Sequence, residues 1–239
     1  MLKITNLHKS FGKNQVIKGL DLSIEPGKLT AILGPNGSGK TTIIKSILGM
    51  VIPDKGEIIF DGENIKKHWN YRRKLNYLPQ IARFPENLRV KELLELVKEL
   101  RMQESDEQDI IEKFVLKNDL DKPLRNLSGG TRQKVNLLLT FMFNNPMIIL
   151  DEPSNGLDPV ALLTLKEMIS SEVKNGKTIL FTTHIMSLVE DLAEEIIFIL
   201  EGKVYFQGTQ SKLMELTSES NLERSIAAIL RPNDARAKK

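Results

Sequence analysis

The chain contains no cysteine, so disulfides and thiolate metal sites are excluded and the composition suits a reducing compartment. It also lacks a strong excess of one charge. A net charge of +3 over 239 residues is too small to argue for a nucleic-acid partner. No long apolar run is present either. The longest are about five residues, where a bilayer span needs roughly 20. Met1-Leu2-Lys3-Ile4 does not open the apolar core of a signal peptide, so the expectation is a cytoplasmic protein. Any membrane role must then come through a partner chain. An apolar content of 41% and a charged content of 27% are ordinary for a globular protein with a sizeable core, in one large domain or two small ones.

The residues that are present centre on Leu29 to Thr42, LTAILGPNGSGKTT. An apolar, strand-like segment runs into Gly34-Pro35-Asn36-Gly37-Ser38-Gly39-Lys40-Thr41. This fits G-x-x-x-x-G-K-[ST] at every fixed position, and Thr42 onward reads as a helix. A polyphosphate needs several N–H donors converging on it, and side chains at the loop centre would block that approach. Gly34, Gly37 and Gly39 let the backbone come close and take positive φ. The helix beginning near Gly39 turns its free N–H groups and positive dipole end toward the anion. Lys40 adds a cation for the β- and γ-phosphates, and Thr41 offers a hydroxyl to Mg²⁺. The expectation is therefore a nucleotide-binding loop.

Around this loop the pattern alternates between strands and helices. Residues 2–7 and 16–24 read as strands about a turn at Gly12-Lys13-Asn14, with the alternation of a half-exposed antiparallel sheet. Phe11, just before the turn, either stacks on a base or packs. Short strands come next at 57–60 and 75–79, separated by a basic stretch from Lys66 to Lys74. Gln80 then lies just past a strand's carboxyl end, where open α/β sheets bind ligands. From Val90 to about Asn145 the pattern is helical. Val90, Leu93, Leu94, Val97 and Leu100 form one stripe, and Ile110, Ile111, Phe114 and Val115 form another.

Leu127-Ser128-Gly129-Gly130 then opens a helix over 131–143. Ser128 is a candidate N-cap, and the glycine pair bares backbone N–H groups at the dipole's positive end, making a second anion site. Met147 to Leu150 reads as a buried parallel strand ending in Asp151-Glu152. Adjacent carboxylates there are costly without a cation or proton, and alternation gives them separate jobs. Pro153 to Pro159 reads as a turn into a helix over 160–174. Thr178 to Thr182 is another buried strand, and Thr183-His184 reaches the same sheet edge. A hairpin closes over Glu201-Gly202, a short helix covers 209–217, and a loose tail completes the chain.

These motifs, in this order, resemble the ATP-binding cassette of an ABC transporter over residues 2–217. GPNGSGKT matches its Walker A loop and Gln80 its Q-loop. LSGGT at 127–131 matches the family signature. MIILDE at 147–152 matches Walker B with its glutamate. SNGLD at 154–158 matches the D-loop, and His184 the switch histidine. The signature usually ends in glutamine, where this chain has Thr131. The resemblance implies an α/β fold: a P-loop NTPase (RecA-like) core with a parallel sheet, an N-terminal antiparallel β subdomain and a helical insert. Core and β subdomain would occupy 1–80 and 146–217 and the helical part 81–145, one ATPase domain over 1–217 with a tail over 218–239.

It further implies two copies facing head to tail, each ATP held by one copy's loop and the other's Ser128, Gly129 and Gly130. Phe11 takes the adenine. Asp151, Thr41 and Gln80 attend Mg²⁺. Glu152 polarises the attacking water, His184 and Lys40 act on the γ-phosphate, and Asp158 works across the pair. The segment 81–100, with Phe84 and Leu88, would receive a membrane permease, placing the chain on the inner face of the cell membrane. Two other readings compete. A soluble ABC-type ATPase on nucleic acid or ribosomes usually carries two cassettes, coiled-coil inserts or zinc cysteines, absent here. A nucleotide sensor without turnover has no need of Glu152 and His184. For cargo, EPSNGLDP resembles the exporter branch more than the amino-acid or metal importers. PQIARFPENLRV is similar to the cassette that handles copper or sulfur in nitrous-oxide reductase maturation.

Overall fold

In the computed structural model, residues 1–66 and 68–230 are described. The phosphate-loop strand lies inside a sheet of six strands. They are β3 (Leu29–Leu33), β6 (Leu75–Leu78), β7 (Met147–Asp151), β8 (Thr178–Thr182), β9 (Glu195–Leu200) and β10 (Lys203–Gly208). Their order across the sheet is β10-β9-β3-β8-β7-β6. All pairs are parallel except the β9–β10 hairpin at one edge. A second, antiparallel sheet is made from β1 (Leu2–Phe11), β2 (Asn14–Ile24), β4 (Lys55–Phe60) and β5 (Glu63–Asn64), in the order β2-β1-β4-β5.

Strand alternation divides the interior in two. Ala31, Leu33, Ile148, Leu150, Ile179, Phe181, Ile196 and Phe198 point to one side, into a core shared with the helices. Ile32, Met147, Ile149, Leu180, Ile197 and Ile199 point to the other, against the antiparallel sheet and α1 (Lys40–Ile47). Both faces of the parallel sheet are thus dry, which explains why its strands read as unbroken apolar runs. Each fully buried Leu, Ile or Phe contributes about 1.5–3 kcal/mol relative to exposure.

The helical segment holds α2 (Val90–Arg101), α3 (Gln108–Lys113) and α4 (Gly129–Phe141). Val90, Leu93 and Leu94 are buried as the stripe predicts, but Leu100 is 75% exposed. Val115 is also exposed, at 76%, because α3 ends before it and its φ of 55° turns it outward. Beyond the helical segment, α5 (Pro159–Lys174) comes after β7 and α6 (Met186–Leu192) after β8. The short α6 has no counterpart in the sequence pattern. The chain then runs through α7 (Gln210–Thr217).

The expected loose tail is corrected over part of its length. Leu222–Leu230 forms α8, whose Leu222 is buried and whose Ile226 and Ile229 pack on the main core. Thr217 donates to the Ser225 hydroxyl, closing the α7–α8 corner. An amphipathic helix of nine residues gains its stability from that apolar face, which composition alone does not reveal. Residues 231–239 of the expected tail lie outside the described residues. Within the basic stretch, Asn70–Lys74 forms a short 3-10 turn.

Candidate functional site

The carboxyl ends of β3, β6, β7 and β8 meet at one edge, and the candidate site is built from the segments just beyond them. After β3, Gly34 has φ 149° and lies so close to β9 that a Cβ would sit 2.2 Å from the Ile199 carbonyl oxygen. Only glycine fits there. Gly39 caps α1 in a left-handed conformation, φ 109°, and no side chain caps the helix. Its first N–H groups are therefore free for an anion. The Ser38 backbone N–H donates to the Pro35 carbonyl, which closes the loop, while the buried Ser38 hydroxyl has no protein partner.

Lys40 curls back over this loop. Its Nζ donates to the carbonyl oxygens of Gly34 at 2.6 Å and Pro35 at 3.1 Å. Burial pushes the Lys40 pKa down, against the pull of Glu152 and Asp151. Carbonyl oxygens are weak substitutes for a phosphate anion, so a buried cation held this way is poised to exchange them.

After β7, Asp151 is 3% exposed. Its Oδ1 accepts from the Thr182 hydroxyl at 2.6 Å, and its Oδ2 has no partner. A buried, half-satisfied carboxylate is expensive unless something positive completes it. Three His, Cys, Asp or Glu side chains do not cluster around a common point among the described residues, so an all-protein metal cage is not the completion. The donor set of one carboxylate, the Thr41 hydroxyl and the Gln80 amide suits Mg²⁺, which keeps several waters and takes few protein ligands. Burial and the Asp151 charge push Tyr77 up to about 12.

Glu152 takes φ 54°, a left-handed backbone that a glutamate rarely adopts. The strain is held by its N–H, which donates to the Thr182 carbonyl and hydroxyl oxygens. The result turns the side chain toward the end of β8. There Oε2 accepts from the His184 backbone N–H at 3.3 Å, and Oε1 lies 3.1 Å from His184 Nε2 without hydrogen-bond alignment. Burial raises the Glu152 pKa, with His184 opposing it. A carboxylate with a raised pKa beside a partly exposed imidazole can accept a proton from a water.

These groups share a cleft of about 320 Å³. It brings together Asn36, Gly37, Gly39, Lys40, Thr41 and Thr42 from the loop and α1, with Gln80, Asp151, Glu152 and His184 from the other strand ends. Phe11 forms one wall, 51% exposed, with the Lys9 ammonium 5.3 Å from its ring. Gly34, Pro35 and Ser38 support the loop from behind. Asn14 and Val16 also line the cleft, and Thr182 anchors Asp151. Sequence reasoning missed these three. A hydroxyl residue closing an apolar strand was the available signal for Thr182.

The remaining predicted residues are not in the cleft. Ser128 and Gly129 lie exposed, and Gly130 half-buried, at the start of α4. Ser128 accepts from the Thr131 backbone N–H, as expected of an N-cap. Asp158 caps α5 through the Ala161 N–H and pairs with Lys134 at 2.8 Å, a contact that holds its carboxyl below the usual range. Gln133 Nε2 donates to the Pro153 carbonyl, and a Cβ on Gly130 would meet the Gly156 carbonyl oxygen at 2.8 Å. The helix α4 is thereby fastened to the turn 153–158 that leaves Glu152.

With this geometry in place, comparisons place the chain among known proteins. The profile of the family described as "ABC transporter" matches residues 17–155, more than half of the chain. The lantibiotic transport ATP-binding protein SrtF of Streptococcus pyogenes is 37% identical over 211 residues, covering 87% of this chain and 90% of that protein. The L-cystine import ATP-binding protein TcyC of Bacillus subtilis is 30% identical over 246 residues, covering 97% of this chain and 100% of that protein. Among solved structures, an ATP-binding subunit of an ABC transporter superposes with a TM-score of 0.91 at 26% identity, covering 97% of this chain and 100% of that one. On its sequence motifs, its strand-end cleft and these likenesses, the chain belongs to the ABC transporter family.

Proposed function

We propose that this chain is the ATP-hydrolysing subunit of an ABC transporter, working as two copies beside a separate membrane subunit. The carrying observation is the buried Asp151 oxygen without a partner, set in one cleft with the glycine loop, Lys40, Glu152 and His184. In this reading Phe11 offers its ring to the adenine. The N–H groups from Gly34 to Thr42 receive the phosphates, and Lys40 leaves its two carbonyls for the β- and γ-oxygens. Thr41, Gln80 and Asp151 would hold Mg²⁺, which when bound supplies the charge that offsets the triphosphate. Glu152 takes the proton of the attacking water, and His184 holds both that carboxylate and the γ-phosphate in place. Ser128, Gly129, Gly130 and Asp158 lie away from their own cleft and serve that of the second copy.

The second copy is tested by phosphate release over a range of chain concentrations. Activity per chain should climb with concentration. A constant activity per chain contradicts the pair.

The permease is assigned to the 81–100 region. Support comes from an open cavity of about 440 Å³ beside Ile81, Ala82, Arg83 and Phe84. Phe84 and Leu88 are partly buried on the core, so the free apolar groups there are Ile81, Leu96 and Leu100. Through that partner the chain would sit on the inner face of the membrane. Coexpression with the adjacent membrane-protein gene should give a complex stable in detergent. For cargo, the exporter reading draws support from the 33% identity to a lipopolysaccharide export ATP-binding protein of Haemophilus influenzae, against 30% to a cystine import protein. The narrower copper or sulfur resemblance finds no support among these relatives.

A further inference from the structure

The signature segment departs from the family pattern at Thr131, and the structure gives that residue a contact of its own. The Thr131 hydroxyl lies 2.9 Å from the Ser128 hydroxyl, and either oxygen can be the donor. The Thr131 backbone N–H meanwhile donates to the same Ser128 oxygen at 3.1 Å. A serine hydroxyl has two lone pairs and one hydrogen. If Thr131 donates, both Ser128 lone pairs are filled from within the chain. The Ser128 hydrogen is then its one remaining function, and Ser128 is exposed beside the exposed Gly129. In the opposite arrangement Ser128 would turn lone-pair density toward an approaching anion, which repels it.

We infer that Thr131 is a positioning residue that makes Ser128 a dedicated hydrogen-bond donor to the γ-phosphate held by the second copy. The inference rests on the two-copy reading above. An anion arriving at Ser128 selects the arrangement in which Thr131 donates, and each bond in the chain Thr131→Ser128→phosphate strengthens the next. A glutamine at 131 has no hydroxyl with which to do this from the same short distance. The swap is therefore a different way of orienting the serine rather than a defect in the motif.

The effect should fall on pairing and spare nucleotide binding within one copy, because Ser128 and Thr131 do not line their own cleft. One lost hydrogen bond per site, at two sites per dimer, weakens pairing on the order of tenfold. The test uses the Glu152→Gln chain with magnesium ATP. Its dimerisation is followed by sedimentation velocity, and affinity for a fluorescent ATP analogue is measured on the monomer at low concentration. Thr131→Val and Thr131→Ala in that background should each weaken the dimer about tenfold, with analogue affinity and melting temperature unchanged. Thr131→Ser should restore parental dimerisation. Equal or tighter dimers from the valine and alanine variants overturn the role of Thr131 and leave the two-copy reading intact. A Glu152→Gln parent that stays monomeric at saturating nucleotide sinks the two-copy reading, and the Thr131 role with it.

Discussion

The phosphate loop and the segment Ser128–Gly130 both present backbone N–H groups at the start of a helix, yet they differ in what lies behind those groups. Behind the loop stand a lysine and two carboxylates, Lys40, Asp151 and Glu152, at 8%, 3% and 4% exposure. Around the signature segment the charged side chains are at most half-buried and already paired, Arg132 with the exposed Glu86 and Lys134 with the exposed Asp158. Buried charges act at low dielectric and cannot be left unmatched, so the loop edge is built to capture a charged ligand by itself. The signature edge offers neutral donors and a dipole end, screened by water. It contributes only when something else delivers the phosphate. In the two-copy reading, the asymmetry makes capture and pairing separable steps, assigned to separate edges.

The strongest way to break this contrast is at Glu152. Glu152→Gln should reduce phosphate release by roughly 10²–10⁴-fold while a nucleotide titration shows binding retained. Turnover near the parental rate would mean the buried carboxylate is there for structure.

Next come the glycines. Gly34→Ala places a Cβ 2.2 Å from the Ile199 carbonyl oxygen and 2.8 Å from the Ser38 hydroxyl. It should lower stability in urea by about 3 kcal/mol. Gly129→Ala meets nothing within 4 Å and should leave the urea midpoint unchanged. A similar loss at both positions would erase the distinction between a packed edge and an open one.

A smaller effect comes from the raised pKa of Glu152. The folded chain holds this proton more tightly than the unfolded chain, whose value is near 4.5. The group's contribution to stability therefore falls as pH rises from about 4.5 through the folded value, and above that the ionised carboxylate is a standing cost. Glu152→Gln removes the cost. Its melting temperature should exceed the parent's at neutral and alkaline pH, with the gap closing near pH 4. The least change is expected from Lys134→Met. By carbon-detected NMR titration, Asp158 should move up toward its ordinary value, with the melting temperature almost unaffected.

Much of the loop edge was legible in the sequence because its residues are contiguous and its chemistry tolerates few substitutes. The glycine spacing, the Lys-Thr pair and the Asp-Glu after an apolar run each carry a local physical requirement. The parallel strands were legible because double-sided burial leaves unbroken runs such as Met147 to Leu150. Thr182 was not singled out, because its role depends on β7 and β8 being neighbours, which no local pattern encodes. Leu100 and Val115 fit a helical stripe but face solvent, since periodicity says which residues share a face and not where the helix stops. Leu222 to Leu230 is ordinary in composition, and its order comes from docking on neighbouring α7 and on the more distant α6.

Gln133 grips the Pro153 carbonyl one residue beyond Glu152, and five residues upstream on the same stretch of chain Ser128 reaches outward. In the two-copy reading, a displacement of the glutamate as charge leaves the cleft would pass through this link like motion through a rocker arm, lifting the far tip away from the neighbour's nucleotide. Fuel burnt on one side would then loosen the grip on the other, and the two chambers of such a pair would fire in mutual awareness rather than as independent cylinders.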